Sequence, residues 1–115
     1  NGNKHTTLKL LSKNNLKKYI AKTFSVDDVK SWKPSPEPYL MVTNHYKVNP
    51  SNALMIACHS WDLAGAKNVG LQTGYIKSYE GNLSHITSSP DYEGDNILEL
   101  SKNILKAQKN QIIST

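Results

Sequence analysis

The residues best able to do chemistry are a lysine, a tyrosine and an aspartate spread along the chain: Lys33 before Pro34, Tyr39 six residues on, and Asp62 after Trp61. Lys33 stands at the mouth of a helix and Asp62 follows an apolar run, so a parallel sheet would bring both to one edge. An ammonium and a carboxylate there can hold each other in fixed rotamers and present positive potential to an anionic substrate or a carboxylate nucleophile. Alone, Lys33 reads as an ordinary solvated lysine; beside Tyr39 and Asp62 the functional reading is the stronger one. Asp62 can also cap a helix, and the two roles are compatible. Cys58 reads as a small buried hydrophobe rather than a nucleophile. His59, its neighbour, points to the opposite face of a strand, so the two form no dyad. His5, His45 and His85 have no metal-ligand spacing with one another or with Cys58, and no structural metal is expected. Trp32 and Trp61 read as packing residues at the site rim.

The elements that must position these residues follow from local periodicity. Leu8 and Leu11, flanked by Leu10 and set among Lys9 and Lys13, predict a short amphipathic helix from Thr6 to about Asn14. Asn14-Asn15 breaks it; Leu16, Tyr19 and Ile20 suggest one or two more helical turns, and Phe24-Ser25-Val26 reads as a short strand closed by Asp27-Asp28. Ser35 as a cap, Pro36 at the first helical position and Glu37 in the first turn predict a helix from Pro36 to about Lys47, with Tyr39, Val42, Thr43 and Tyr46 on one face. A turn at Asn49-Pro50-Ser51-Asn52 leads into Ala53-Leu54-Met55-Ile56-Ala57-Cys58, typical of a strand buried on both faces of a parallel sheet. Asp62 is placed to cap a helix through Leu63 to Val69, with Gly70 as its stop. Leu71 to Ile76 is the next strand, and the unit 53–76 presents its functional loops at the strands' carboxyl ends. Residues 77–95 read as a loop. Asn96 with Glu99 three residues later starts the last helix, whose apolar stripe is Ile97, Leu100, Ile104 and Leu105.

Composition narrows the partners. With 115 residues and 37% apolar content the chain is one domain with a thin core. It carries no apolar run of membrane-spanning length, no signal-peptide stretch at its start, and a lone cysteine that cannot form an internal disulfide. These features predict a cytoplasmic protein, in which Asn82-Leu83-Ser84 matches a glycosylation acceptor by chance. All fourteen basic residues are lysines. Guanine reading and bidentate phosphate gripping lean on the guanidinium fork, so the net charge of +5 marks a solvated lysine face rather than a nucleic-acid reader.

Three segments in order, Asn1-Gly2-Asn3, then Lys33-Pro34 with Tyr39, then Trp61-Asp62 followed by Gly65-Ala66 and Gly70, resemble the second, third and fourth signatures of the haloacid dehalogenase superfamily. Within it the resemblance is to the 2-haloacid dehalogenase type, and it spans nearly the whole chain. It implies an α/β fold: a partial Rossmann-like core with a parallel sheet and flanking helices. Residues 1–115 would be the carboxyl-terminal part of that core domain, with the first strand and the cap domain outside them.

The resemblance also implies a hydrolase acting on a 2-haloacid or similar small carboxylic acid through an aspartate nucleophile, whose ester is later hydrolysed by water. That aspartate belongs to the first signature, and no Asp-x-x-Gly-Thr sequence occurs in these residues. The chain alone is therefore expected to be inactive. Carried over residue by residue, Lys33 would hold the nucleophile's charge and Asp62 would orient Lys33 or a water. Asn1 would help bind the substrate carboxylate, Tyr39 would line the site, and His59 and Trp61 would border it. Ala57 stands where well-known haloacid members carry serine, and His59 where they carry asparagine, so a hydrolase of the superfamily is the wider expectation. No cofactor is expected on this reading. The alternative is a phosphatase of the same superfamily, in which Asp62 would help hold Mg²⁺; Leu63 occupies the place where such enzymes usually carry a second acid. A third reading is a non-catalytic half-domain or degenerate relative. The expected partner is a small anionic substrate, not nucleic acid or membrane, with a homodimer or other association through an exposed sheet edge.

Overall fold

The computed structural model describes residues 1–83 and 89–114. Helix α1 (Lys4–Lys13) starts where the Asn3 side chain accepts the amides of His5 and Thr6, and none of its residues is buried. The strand expected at Phe24-Ser25-Val26 does not form. Ser25 instead opens a 3₁₀ turn over Val26–Asp28: its hydroxyl accepts the Asp27 amide at 3.2 Å and the Asp28 carboxylate accepts the Ser25 amide at 3.2 Å. The serine hydroxyl and the carboxylate three residues on satisfy those amides locally, which removes the need for a strand partner.

Helix α2 (Pro36–Tyr46) begins at the proline, as its fixed φ favours. Ser35 holds the cap position, but its hydroxyl donates to the Trp32 carbonyl at 2.6 Å rather than capping an amide. Tyr39 and Thr43 are buried on the inner face, whereas Tyr46 lies half-exposed beyond the core.

Strands β1 (Leu54–Ala57), β2 (Gln72–Ile76) and β3 (Tyr92–Gly94) form one parallel sheet in the order β1-β2-β3. Leu54 lies opposite Gln72 and Ala57 opposite Tyr75; Gly74 lies opposite Tyr92. β1 is not buried on both faces, since Ile56 is 38% exposed. Among the described residues only β2 pairs with it, which leaves β1 an edge. β3 lies inside the span expected to be loop. Its three residues carry no periodicity, and a side-chain clamp sets its register: Asp91 accepts the Thr73 amide at 2.7 Å and hydroxyl at 3.1 Å, and donates its own amide to the Thr73 carbonyl at 3.0 Å.

Helix α3 (Ser60–Asn68) joins β1 to β2 and ends before Gly70, whose φ of +86° suits glycine. Asp62 is the third residue of α3 and not its cap. His59 occupies the cap position and the Ser60 amide is satisfied from outside by Glu80, at 2.9 Å. Helix α4 (Ile97–Ile113) has the expected start, with Asn96 accepting the Glu99 amide at 3.0 Å. Its stripe is narrower than expected: Leu100 is fully buried and Ile104 half-buried, while Ile97 and Leu105 are exposed.

Helices flank both faces of the sheet. On one face Ala53 and Met55 pack against the cluster of Tyr39, Ala66 and Leu71. On the other, Gly74 lies against the Leu100 side chain of α4. Trp32 and Trp61, expected to pack, are 63% and 44% exposed, and Cys58 is half-buried rather than buried. His85, and Ser84 of the acceptor match, lie outside the described residues. No helix among the described residues is long and apolar enough to cross a membrane.

Candidate active site

The loop before α2, the first turn of α3 and the chain start meet at one point. Lys33 Nζ lies 3.1 Å from each carboxylate oxygen of Asp62, and the Tyr39 hydroxyl donates to Oδ1 of the same carboxylate at 2.9 Å. The ammonium also sits 5.1 Å from the centroid of the Tyr39 ring, within cation–π range. With side-chain exposures of 17% and 13%, Lys33 and Asp62 are shielded enough that salt screens them little. Burial, reinforced by the hydrogen bond to Asp62 and by its charge, pushes the Tyr39 phenol well above the usual tyrosine range. The phenol therefore remains a donor and Asp62 an acceptor.

Local sequence explains the approach. Tyr39 is in the first turn or so of α2, on its buried face, and must reach across to α3. Gly65, one turn after Asp62, provides the room: a Cβ there would overlap the Tyr39 hydroxyl and lie 2.7 Å from Cζ. Glycine inside a helix costs about 1 kcal/mol relative to alanine, and here its lack of a side chain opens the path between Tyr39 and Asp62. The Gly65-Ala66 pair was visible in the sequence as part of a motif, but its steric role depends on a residue 26 positions away.

Asn1 turns toward Lys33 rather than outward. Its Oδ1 accepts the Lys33 amide at 2.8 Å and its Nδ2 donates to the Lys33 carbonyl at 3.4 Å. The amide expected at a substrate thus grips the main chain of the lysine. Beside this group, along the β1 edge, opens a cavity of about 230 Å³ lined by Asn1, Lys33, Tyr39, Val42, Met55 and other mostly apolar residues.

His59 and Trp61 form a neighbouring cluster. The indole stacks with the imidazole (centroids 6.1 Å apart, planes at 19°), and Tyr79 meets the same ring edge-on at 4.9 Å. His59 Nδ1 lies 2.9 Å from Glu80 Oε1. Glu80 had no signal in the sequence. It stands four residues beyond β2, and its link to His59 spans 21 positions. Among the described residues no group of three or more His, Cys, Asp or Glu could hold a metal ion.

Residues 1–76 match the family model described as haloacid dehalogenase-like hydrolase. The chain belongs to this family. It is similar to (S)-2-haloacid dehalogenase 4A of Burkholderia cepacia, 30% identical over 112 residues that cover 93% of this chain and 48% of that protein. A dehalogenase crystal structure with an intermediate complex superposes with a TM-score of 0.82 at 25% identity, over 89% of this chain and 45% of that one. A haloacid dehalogenase-like phosphatase from Thermococcus onnurineus superposes at 0.72 with 32% identity, over 88% and 46%. The chain spans about half the length of each, and the parallel sheet with flanking helices is the Rossmann-like core they share.

Proposed function

We propose that this chain contributes the lysine–aspartate–tyrosine side of a hydrolase site for a 2-haloacid or similar small carboxylic acid. The reading rests on Lys33 Nζ, fixed at 3.1 Å from both Asp62 oxygens and backed by Tyr39. The likeness to an (S)-2-haloacid dehalogenase supports the substrate class. The nucleophile is an aspartate carried by a segment outside these 115 residues. That segment pairs with the free edge of β1 and fills the apolar cavity beside it, which brings its carboxylate to Lys33. The same edge could instead take a second copy of the chain.

In the proposed reaction the carboxylate attacks the halogen-bearing carbon. A C–O bond forms as the carbon–halogen bond breaks, and the halide leaves with the electron pair. Lys33 stabilises the carboxylate, while Asp62 and Tyr39 hold Lys33 at one angle. Asn1 positions Lys33 through its main chain and lies at the edge where a substrate carboxylate would bind, with His59 and Trp61 on the rim. Water then cleaves the ester. The free Cys58 thiol and the lysine-only basic surface accord with an aqueous, reducing compartment such as the cytoplasm and with small anions as ligands, rather than nucleic acid or membrane.

The test is halide release from 2-chloropropionate by the complete gene product. Lys33→Ala is expected to lower turnover by roughly 10²–10³-fold, as loss of one preorganised charge contact does. Unchanged turnover in that variant rejects the role of Lys33.

The likeness to a phosphatase favours a second reading, in which Asp62 helps hold Mg²⁺ and the ion supplies charge for phosphoryl transfer. The donor set fits this poorly. Both Asp62 oxygens are taken by Lys33 and Tyr39, and the buried, apolar Leu63 follows it. Phosphate release that requires Mg²⁺, with no halide release, would select it. A protein with neither activity would be the non-catalytic relative.

A further inference from the structure

Asn1, Gly2 and Asn3 each bind the segment that runs from Ser25 to Lys33. Asn1 holds the Lys33 main chain through both polar atoms of its side chain. The Ser25 hydroxyl donates to the Gly2 carbonyl at 2.8 Å, and Asn3 Nδ2 donates to Asp27 Oδ2 at 3.5 Å. Asn3 Oδ1 meanwhile accepts the first amides of α1, from His5 at 2.9 Å and Thr6 at 3.3 Å. The middle contact is the shielded one: Ser25 is 2% exposed, whereas Asn1, Gly2 and Asn3 lie at the surface.

A capping serine needs only to accept. Ser25 accepts the Asp27 amide at 3.2 Å, which serves the turn over Val26–Asp28 without using the hydroxyl hydrogen. That hydrogen faces two acceptors, the Gly2 carbonyl at 2.8 Å and Asp27 Oδ2 at 3.0 Å, and the carbonyl is the nearer. The same two stretches of chain wall the cavity beside Lys33, since Asn1, Gly2, Phe24 and Val26 all line it. A buried hydroxyl thus ties a surface loop to the turn that leads to the lysine.

We propose that Ser25 is a positioning residue for Lys33: its hydrogen bond to the Gly2 carbonyl seats residues 1–3 so that the Asn1 side chain grips the Lys33 main chain. The inference rests on the reading of Lys33 as the cation that serves the aspartate nucleophile. Asp62 and Tyr39 fix the ammonium end of Lys33. Asn1 fixes its backbone end, and Ser25 fixes Asn1. A flexible lysine stem held at one end only would leave the ammonium free to shift, and small misplacements of a reacting charge slow the chemistry.

The experiment uses the complete gene product and compares wild type with Ser25→Ala, Asn1→Ala and the double variant. Amide hydrogen exchange followed by NMR reads the grip, and halide release from 2-chloropropionate reads its effect. The Lys33 amide of Ser25→Ala should exchange as fast as that of Asn1→Ala. Turnover should fall about tenfold in each single variant, with the double variant no slower than Asn1→Ala. A serine that served only its own turn would speed exchange at Asp28, Val29 and Lys30, whose amides close that turn, and leave Lys33 protected. Lys33 protection kept in Ser25→Ala, or turnover losses that multiply in the double variant, overturns the proposal. One measurement needs no variant and stands even if Ser25→Ala does not fold: the wild-type Ser25 hydroxyl proton should exchange slowly and show a nuclear Overhauser contact to Gly2. A hydroxyl proton exchanging at the solvent rate overturns the proposal. Absence of halide from the wild type overturns the aspartyl-ester reading instead, and amide exchange then still decides whether Ser25 sets the Asn1 grip.

Discussion

Two lysines near the carboxyl edge of this sheet face carboxylates, and they differ in every respect that matters for chemistry. Lys33 is held at 3.1 Å by both oxygens of Asp62, with side-chain exposures of 17% and 13% and a tyrosine hydroxyl on the same carboxylate. Lys77 lies 3.4 Å from Glu93 and 3.4 Å from Asp95, whose side chains are 55% and 74% exposed. Its pKa is raised, chiefly by Glu93. Water and salt can replace either acid at Lys77, so that cluster fixes nothing. At Lys33 the partners come from α2 and α3, and desolvation makes the loss of any one of them costly. The contrast teaches that a lysine next to acids becomes a preorganised charge only where packing removes the competing water.

Removing the acid at the shielded pair should have the largest effect. Asp62→Ala leaves a largely buried ammonium and a phenol hydroxyl without their acceptor, and urea unfolding should show a loss of about 3 kcal/mol. A loss no larger than that of an exposed pair would erase the distinction. Gly65→Ala comes next. It should cost about 1–3 kcal/mol through overpacking against Tyr39, and ultraviolet titration should find the Tyr39 phenol ionising nearer the usual tyrosine range.

Tyr39→Phe sharpens the same point through pH. It should cost about 1–2 kcal/mol at neutral pH, as a hydrogen bond to a charged group is worth. The folded-state pKa of Tyr39 is raised above its unfolded value of 10.0, so its contribution is complete below that value and is lost as pH rises toward the folded one. The stability difference between wild type and Tyr39→Phe, measured by urea unfolding at a series of pH values, should therefore shrink above pH 10.0. A difference that stays constant there would separate Tyr39 from Asp62. The smallest effect belongs to the exposed cluster: Lys77→Ala should shift the urea midpoint barely, and any shift should vanish in about 1 M salt.

The sequence by itself determined what acts over a few residues. Pro36 starts α2, Asn96 and Glu99 start α4, Gly70 ends α3, and Lys33 with Tyr39 and Trp61 with Asp62 mark the site by spacing. Caps and turns are decided by nearest neighbours, so composition and periodicity suffice to read them. Where local chemistry offered an alternative, the reading failed, as the Ser25 cap replaced a strand; where a strand carried no periodicity it was missed, as β3 was, held beside β2 with Asp91 on Thr73. Tertiary structure alone decided that both oxygens of Asp62 are occupied, that Gly65 makes room for Tyr39, that Asn1 grips the main chain of Lys33, and that Glu80 holds His59. These partners lie 21 to 32 positions apart, and contacts at such separations depend on how whole elements pack, which no local pattern encodes.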